Sequence, residues 1–159
     1  MNTNIQQVCL QPLPILEWKW EVIYLYFITV FPLTQKQHES IMVVVDKLSK
    51  FAHFIPMKST YNAVNVTEIF LKEIFRLHGV PKMVISDRDV KFTSNFWKSL
   101  FAGLKTNINF STSYHPGIDE KTERTNQVIG DMLMMYVMER PTKWEDYLHL
   151  AVFAYNNGY

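Results

Sequence analysis

The stretch IYLYFITVF, residues 23–31, decides how this chain folds. Apolar and aromatic side chains occupy both parities, with none of the polar alternation of a strand that has one wet face. Such a strand belongs inside a sheet covered on both sides, and we read it as Val22 to Val30. Its one oddity is a pair of tyrosines, Tyr24 and Tyr26, in a segment that otherwise has no polar atoms beyond the backbone until Thr29.

Two further strands follow, Ile41 to Asp46 (IMVVVD) and Phe51 to Pro56 (FAHFIP). Both are short, β-branched or aromatic, and joined by polar connections, which suits an antiparallel meander. The helices needed to cover it come next. From Ala63 to Leu77 the residues Val66, Ile69, Phe70, Ile74 and Leu77 recur at helical spacing. Asn62 is placed to cap that helix, and HGVP ends it with a glycine and a proline. A buried strand, Met83 to Ser86, then leads to a helix over Ser94 to Leu104 with Phe96, Trp97, Leu100, Phe101 and Leu104 inward. A strand at Ile108 to Thr112 precedes two helices, about Thr122 to Glu139 and Trp144 to Tyr155. The order βββαβαβαα predicts a mixed sheet between helical layers. Residues 1–20, with two prolines and little periodicity, read as an extended linker, and 21–159 as one domain.

With 159 residues, 48% of them hydrophobic, the chain can bury one ordinary core. A net charge of +1 excludes a global positive field, so any nucleic-acid binding must be local. Lys82/Arg88/Lys91 and Lys121/Arg124 are the two basic clusters, and a solvated face is their plain alternative. A single cysteine, Cys9, excludes an internal disulfide and a cysteine-rich zinc module. No apolar run is long enough to span a bilayer, and the N-terminus has no signal-peptide pattern. The expectation is a soluble intracellular protein, nuclear or cytoplasmic, with neither a membrane nor a small-molecule partner.

Two carboxylates stand out by position. Asp87 directly follows a buried strand, where open α/β sheets place ligands. Glu123 opens a helix on which Glu123, Asn126, Gln127 and Gly130 share one face and Val128, Ile129, Met132, Met135 and Tyr136 the opposite one. A turn or cap role for Asp87, and a first-turn role for Glu123 at the helix dipole, remain the structural alternatives. Met132, Met134, Met135 and Met138 read as core filler, and His53, His78 and His149, which lack ligand spacing, as packing or hydrogen-bonding residues.

Several blocks together, PLPILEWKWE, IMVVVDKLSKFAHFIPMKSTY, LHGVPKMVISDRDVKFTSNFWKSL, STSYHPGIDEKTERTNQ and WEDYLHLAVFAYNNGY, resemble the integrase catalytic core of gypsy-class LTR retrotransposon polyproteins. The resemblance runs from Leu10 nearly to the last residue. It implies an α/β ribonuclease-H-like fold with a mixed five-stranded sheet flanked by helices in three layers. It also implies the D,D-35-E set of metal-binding carboxylates, a Mg²⁺ (or Mn²⁺) cofactor, DNA as partner, and a possible homodimer. Asp87 and Glu123, with 35 residues between them, match the last two carboxylates as catalytic and metal ligands. Lys82, Arg88, Lys91, His115, Lys121, Arg124, Asn126 and Gln127 would then grip nucleic acid.

The first carboxylate is missing. The family's Met-Asp-Phe-Ile run corresponds to Leu25–Ile28, with Tyr26 in place of the aspartate. A neutral phenol is a poor ligand for Mg²⁺. Asp46, expected roughly opposite Leu25 and on the face away from Tyr26, is a weak substitute. The loop YHPGIDEKTE also departs from the family pattern, with Gly117 for a glutamine and Glu120 for a glycine. The expectation is a truncated, degenerate core in which phosphodiester cleavage and strand transfer are impaired. The alternatives are a catalytically silent nucleic-acid or partner-binding module, and a pseudogene fragment without selected function.

Overall fold

A computed structural model describes residues 18–28, 31–86, 90–110, 131–133 and 136–158. Strands β1 (Val22–Ile28), β2 (Ser40–Asp46) and β3 (Ala52–Met57) form the expected antiparallel meander. β4 (Met83–Ser86) then lies parallel to β1, and β5 (Asn107–Phe110) parallel to β4. The sheet order is β3-β2-β1-β4-β5, so β1 is its centre and the strand where antiparallel pairing gives way to parallel.

Both faces of the sheet are covered, as the continuous apolarity of β1 and β2 requires. Tyr24, Tyr26, Ile28, Val43, Val45 and Ile85 face one core with Leu133, Trp144, Leu148, Ala151 and Tyr155. The covering elements there are helical segments at 131–133 and 136–139, a 3₁₀ turn over Pro141–Tyr147 and the last helix, Leu148–Gly158. Ile23, Leu25, Met42, Val44 and Val84 face the other core. Helix α1 (residues 63–78) covers it with Val66, Phe70 and Ile74, helix α2 (Val90–Thr93) with Phe92, and helix α3 (Asn95–Gly103) with Trp97 and Phe101.

Helix α1 runs over Ala63–Phe70, continues through a π-helical turn at Leu71–Phe75 and ends at Arg76–His78. Asn62 caps it as predicted: its side chain accepts from the Asn65 N–H while Asn65 answers to the Asn62 N–H. Gly79, at φ +80°, ends it. Leu77 was expected inward but is half exposed. The π turn adds a residue to the repeat and so rotates everything beyond Phe75 around the axis, carrying Leu77 out and turning His78 toward the sheet edge. Phe96 and Leu104, also expected inward on α3, are exposed: the nine-residue helix has room for Trp97 and Phe101 on its buried stripe, and these two flank it. Met138, expected as core, is the most exposed large apolar residue described, whereas Leu133, not expected, is fully buried.

The N-terminal end of β1 is held by a compact hydrogen-bonded knot. Lys82 and Met83 both donate their amides to the Glu21 carbonyl, and Lys47 donates to that of Val22. Asp46, fully buried, accepts from the amides of Trp20, Leu48 and Ser49 and from the Ser49 hydroxyl. Burial alone would raise the Asp46 carboxyl, but the Ser49 hydroxyl and the three amides outweigh it and hold the group below the ordinary carboxylate range. Asp46→Ala is expected to cost about 2–4 kcal/mol at pH 7, because it strands several buried donors. The sign of the pH dependence follows from a depressed folded-state pKa. The contribution is complete above the unfolded carboxylate's pKa and is lost as pH falls through the folded value, so the gap between native and variant in urea denaturation should narrow only below about pH 4.

Candidate active site

The carboxyl ends of β1, β4 and β5 lie at one edge of the sheet, and β1 is the point at which strand direction switches. This is where open α/β sheets bind ligands. The last pair between β1 and β4 is Leu25 with Ser86. Tyr26 is therefore the next step along β1, and Asp87 the next residue of the chain after Ser86. Tyr26 is 1% exposed and sits opposite Val43 of β2, in the core shared with Tyr24, Ile28, Ile85 and Leu133.

Asp87 and Glu123 lie outside the described residues, as do Arg88, His115, Lys121, Arg124, Asn126 and Gln127. Among the described residues no three His, Cys, Asp or Glu side chains come together as a metal site. The helix that the sequence opens near Glu123 is described only from residue 131. There Leu133, with Met132, Tyr136 and Val137, packs on the sheet face that carries Tyr26.

Asp46 does not stand in for a ligand. It pairs with Ile23, two residues from the Leu25 partner expected. The slip is even, so the face is unchanged: Asp46 lies with Ile23 on the side away from Tyr26, as predicted. Three residues of strand, about 10 Å, separate the two levels, and the carboxylate is committed to the turn that joins β2 to β3.

The two described lysines of the expected basic margin part company. Lys82 precedes β4 and Ser86 ends it, a strand length of about 13 Å. Lys82 is bound there to Glu21 at 3.0 Å, at the end opposite the site edge. Lys91, in α2, places its ammonium 5.3 Å from the centre of the Phe27 ring, next in sequence to Tyr26. Phe27 in turn stacks on Phe92 at 5.1 Å. Helix α2 itself was not expected, because its four residues, VKFT, are too few to carry a periodicity that announces them.

A second feature was also invisible in the sequence. Glu145 accepts from the Thr34 hydroxyl and from His38 Nδ1, the latter at 2.9 Å. Gln35 donates its amide to Thr142, and Trp144 Nε1 donates to the Pro32 carbonyl. The connection between β1 and β2 is thereby tied to the 3₁₀ turn, more than a hundred residues away. No local pattern encodes such a contact.

No protein-family model matches the sequence. Known proteins do. The Tf2-3 and Tf2-4 transposon polyproteins of Schizosaccharomyces pombe are each 34% identical over 149 residues, which is 94% of this chain. Among solved structures, the catalytic core domain of BIV integrase superimposes with a TM-score of 0.64 at 18% identity, over 85% of this chain and 82% of its own. The chain is similar in sequence to these retrotransposon polyproteins and in fold to retroviral integrase cores, and an integrase core from an LTR retrotransposon fits both likenesses.

Further structural matches agree with this integrase-core fold. The HTLV-2 integrase catalytic core domain in complex with magnesium, in a dimeric form, gives a TM-score of 0.62 at 17% identity over 86% of each chain. The simian T-cell lymphotropic virus intasome in complex with PP2A regulatory subunit B56 gamma gives 0.66 at 17%, over 85% of this chain and 48% of that one. The architecture is ribonuclease-H-like, with the predicted five-stranded mixed sheet between helical layers. The chain spans about a tenth of the Tf2 polyproteins' length, 11%. No helix among its described residues is long and apolar enough to cross a membrane.

Buried in an apolar core, position 26 has strict demands of its own. Tyr26→Asp is expected to lower the stability of the metal-free chain by at least about 3 kcal/mol, through the lost ring and a carboxylate forced into that space. Urea denaturation in a chelator at pH 7.5 measures it, and an unchanged midpoint would remove Tyr26 from the core.

Proposed function

We propose that this chain is a retrotransposon integrase core whose metal-dependent DNA cleavage and strand transfer are impaired, because Tyr26 occupies the position of the family's first catalytic aspartate. The observation that carries this reading is the place of Tyr26: one step beyond the last β1–β4 pair, Leu25 with Ser86, and buried in the core with Tyr24, Ile28, Ile85 and Leu133. Asp87 and Glu123 keep the family's catalytic and metal-binding roles in this proposal. Mg²⁺ or Mn²⁺ is the proposed cofactor, a reading supported by the magnesium complex of the HTLV-2 core. A hard cation takes oxygen ligands, carboxylates above all, and the phenol that β1 supplies does not fit it. Without a carboxylate from β1, Asp87 and Glu123 would be left to hold the cation, and its binding would be weakened.

Nucleic-acid binding outlives that loss, because phosphate contacts depend on local cations and not on metal. Lys91 is the described residue best placed for it, with Arg88, His115, Lys121, Arg124, Asn126 and Gln127 as its proposed companions. Lys82 drops from the set, since β4 runs between it and the site edge and Glu21 holds its charge. DNA is the partner, reached inside the cell, in the nucleus or the cytoplasm. A second copy of the chain is a further partner, supported by the dimeric form of the HTLV-2 core.

The test is a strand-transfer and disintegration assay on labelled DNA ends, run beside calorimetric titration with Mg²⁺ and Mn²⁺, on the native chain and on Tyr26→Asp. The native chain is expected to show activity below detection and weak metal binding, with both recovered only in part, if at all, by the variant. Clear metal-dependent joining by the native chain, or equal metal affinity in the two proteins, would overturn the assignment of position 26. DNA mobility should still shift at low salt and recover steeply as salt rises.

A further inference from the structure

At the β3 edge of the sheet, with β2 and β1 between it and β4, two histidines meet. His53 of β3 and His78, the last residue of α1, bring their Nε2 atoms to 2.9 Å. Their ring centres are 5.1 Å apart, so the separation beyond the nitrogen contact is about one ring radius on each side. The rings therefore meet nearly end to end, one Nε2 presenting its N–H and the other its lone pair. Two imidazoles sharing a metal ion would instead aim both lone pairs at a third point. Trp20, just before β1, lies flat on His78, with ring centres 3.7 Å apart and planes 11° from parallel. Trp20 also contacts His53 at 5.3 Å and Phe51 at 6.5 Å. Its backbone has φ +68°, a conformation costly for a bulky residue, and its amide donates to Asp46 at 2.9 Å.

We propose that His53 and His78 form an imidazole clasp that holds the chain entering β1 against the end of α1 and the edge strand β3, closed at neutral pH and opened by acid. The clasp keeps one proton between two nitrogens. A first extra proton leaves a charge-assisted N–H···N contact intact, while a second sets two N–H donors and two positive charges head to head. The charged and titratable groups around it come from every packed element. Asp46, from the end of β2, favours a charge on His78. Lys19 shares the small cavity beside Trp20, Ser49, Phe51 and His78, while Glu145 and His149 line the larger one that His53 borders. Burial, the largest influence on both rings, disfavours charge: it takes His53, with His78 adding to it, down to about 4, and lowers His78 despite Asp46. His78 thus takes the first proton and His53 the one that opens the clasp.

The consequence for stability has a definite sign. Histidines that stay neutral in the fold but charge in the unfolded chain cost nothing at pH 7.5, and cost progressively more as pH falls from 6.5 toward 4. That window lies above the one set by Asp46. Whether position 26 binds metal does not enter.

The test uses the whole chain. Long-range ¹H–¹⁵N spectra at pH 7 should show one protonated and one bare Nε2 for His53 and His78, with His53 staying neutral well below pH 6. Matching tautomers, or a His53 that titrates near 6.5, would overturn the clasp. Urea denaturation at pH 7.5 and 5.5 gives the second readout. The native unfolding constant should rise between those values, and His53→Gln should remove about tenfold of that rise, the share of one depressed histidine one unit below 6.5. His149→Gln, whose ring makes no such contact among the described residues, should keep the native rise. A rise equal in His53→Gln and native would refute the proposal.

Discussion

The burial of β1 on both faces is the constraint on which the rest depends. A strand paired on both edges satisfies its own backbone, but its side chains find no water on either face. Every polar atom it carries must be matched inside the fold. In the ribonuclease-H-like architecture that constraint is relaxed at one edge, where charge on this strand is tolerable only against a counter-charge. A chain that keeps the fold while losing the carboxylate has a simple physical solution, which is to fill the position with volume. Tyr26 does so among Tyr24, Ile28, Val43 and Ile85. On the reading proposed above, a polar centre has become part of the core.

The elements legible in the sequence were those whose signal is local. Apolar continuity marked β1, β2 and β4, and β4 came out with the bounds expected. The Asn62 cap and the Gly79 stop bracketed α1. What failed depended on contacts across the fold. Leu77 turned outward because a π turn broke the period, and no residue in LKEIF announces one. The end of the chain enters its last helix through a 3₁₀ turn with a kink at Lys143, where the sequence pattern suggested one helix from Trp144. The pairing of Asp46 slipped by two because the length of a loop does not fix its geometry. An even slip keeps the face, so the inference about sides survived the error in register.

The candidate site was legible as residue types and spacing, not as geometry. The strand before Asp87 ends at Ser86, as the sequence reading had it, while Asp87 itself lies outside the described residues. The grouping of Lys82 with Lys91 did not hold, because neighbours in a list of basic residues need not be neighbours in space. A four-residue strand separates them, and an acidic neighbour, Glu21, claims the first. Charge clusters in sequence carry little spatial information when a strand intervenes, whereas they carry a good deal within one helix turn.

The two ends of β1 also divide the labour of the fold. Its first residues are fixed by the amides of Lys47, Lys82 and Met83, by Asp46 under Trp20, and by the histidine pair behind that ring. These contacts set the register of β1 against both β2 and β4 before the chain reaches Tyr26. The connection beyond its far end is tied separately, through Thr34, His38 and Trp144 to the 3₁₀ turn. Neither set uses the side chain at position 26. On the proposed reading of position 26, an exchange there changes what the edge of the sheet can bind while the contacts that fix where the edge lies stay in place.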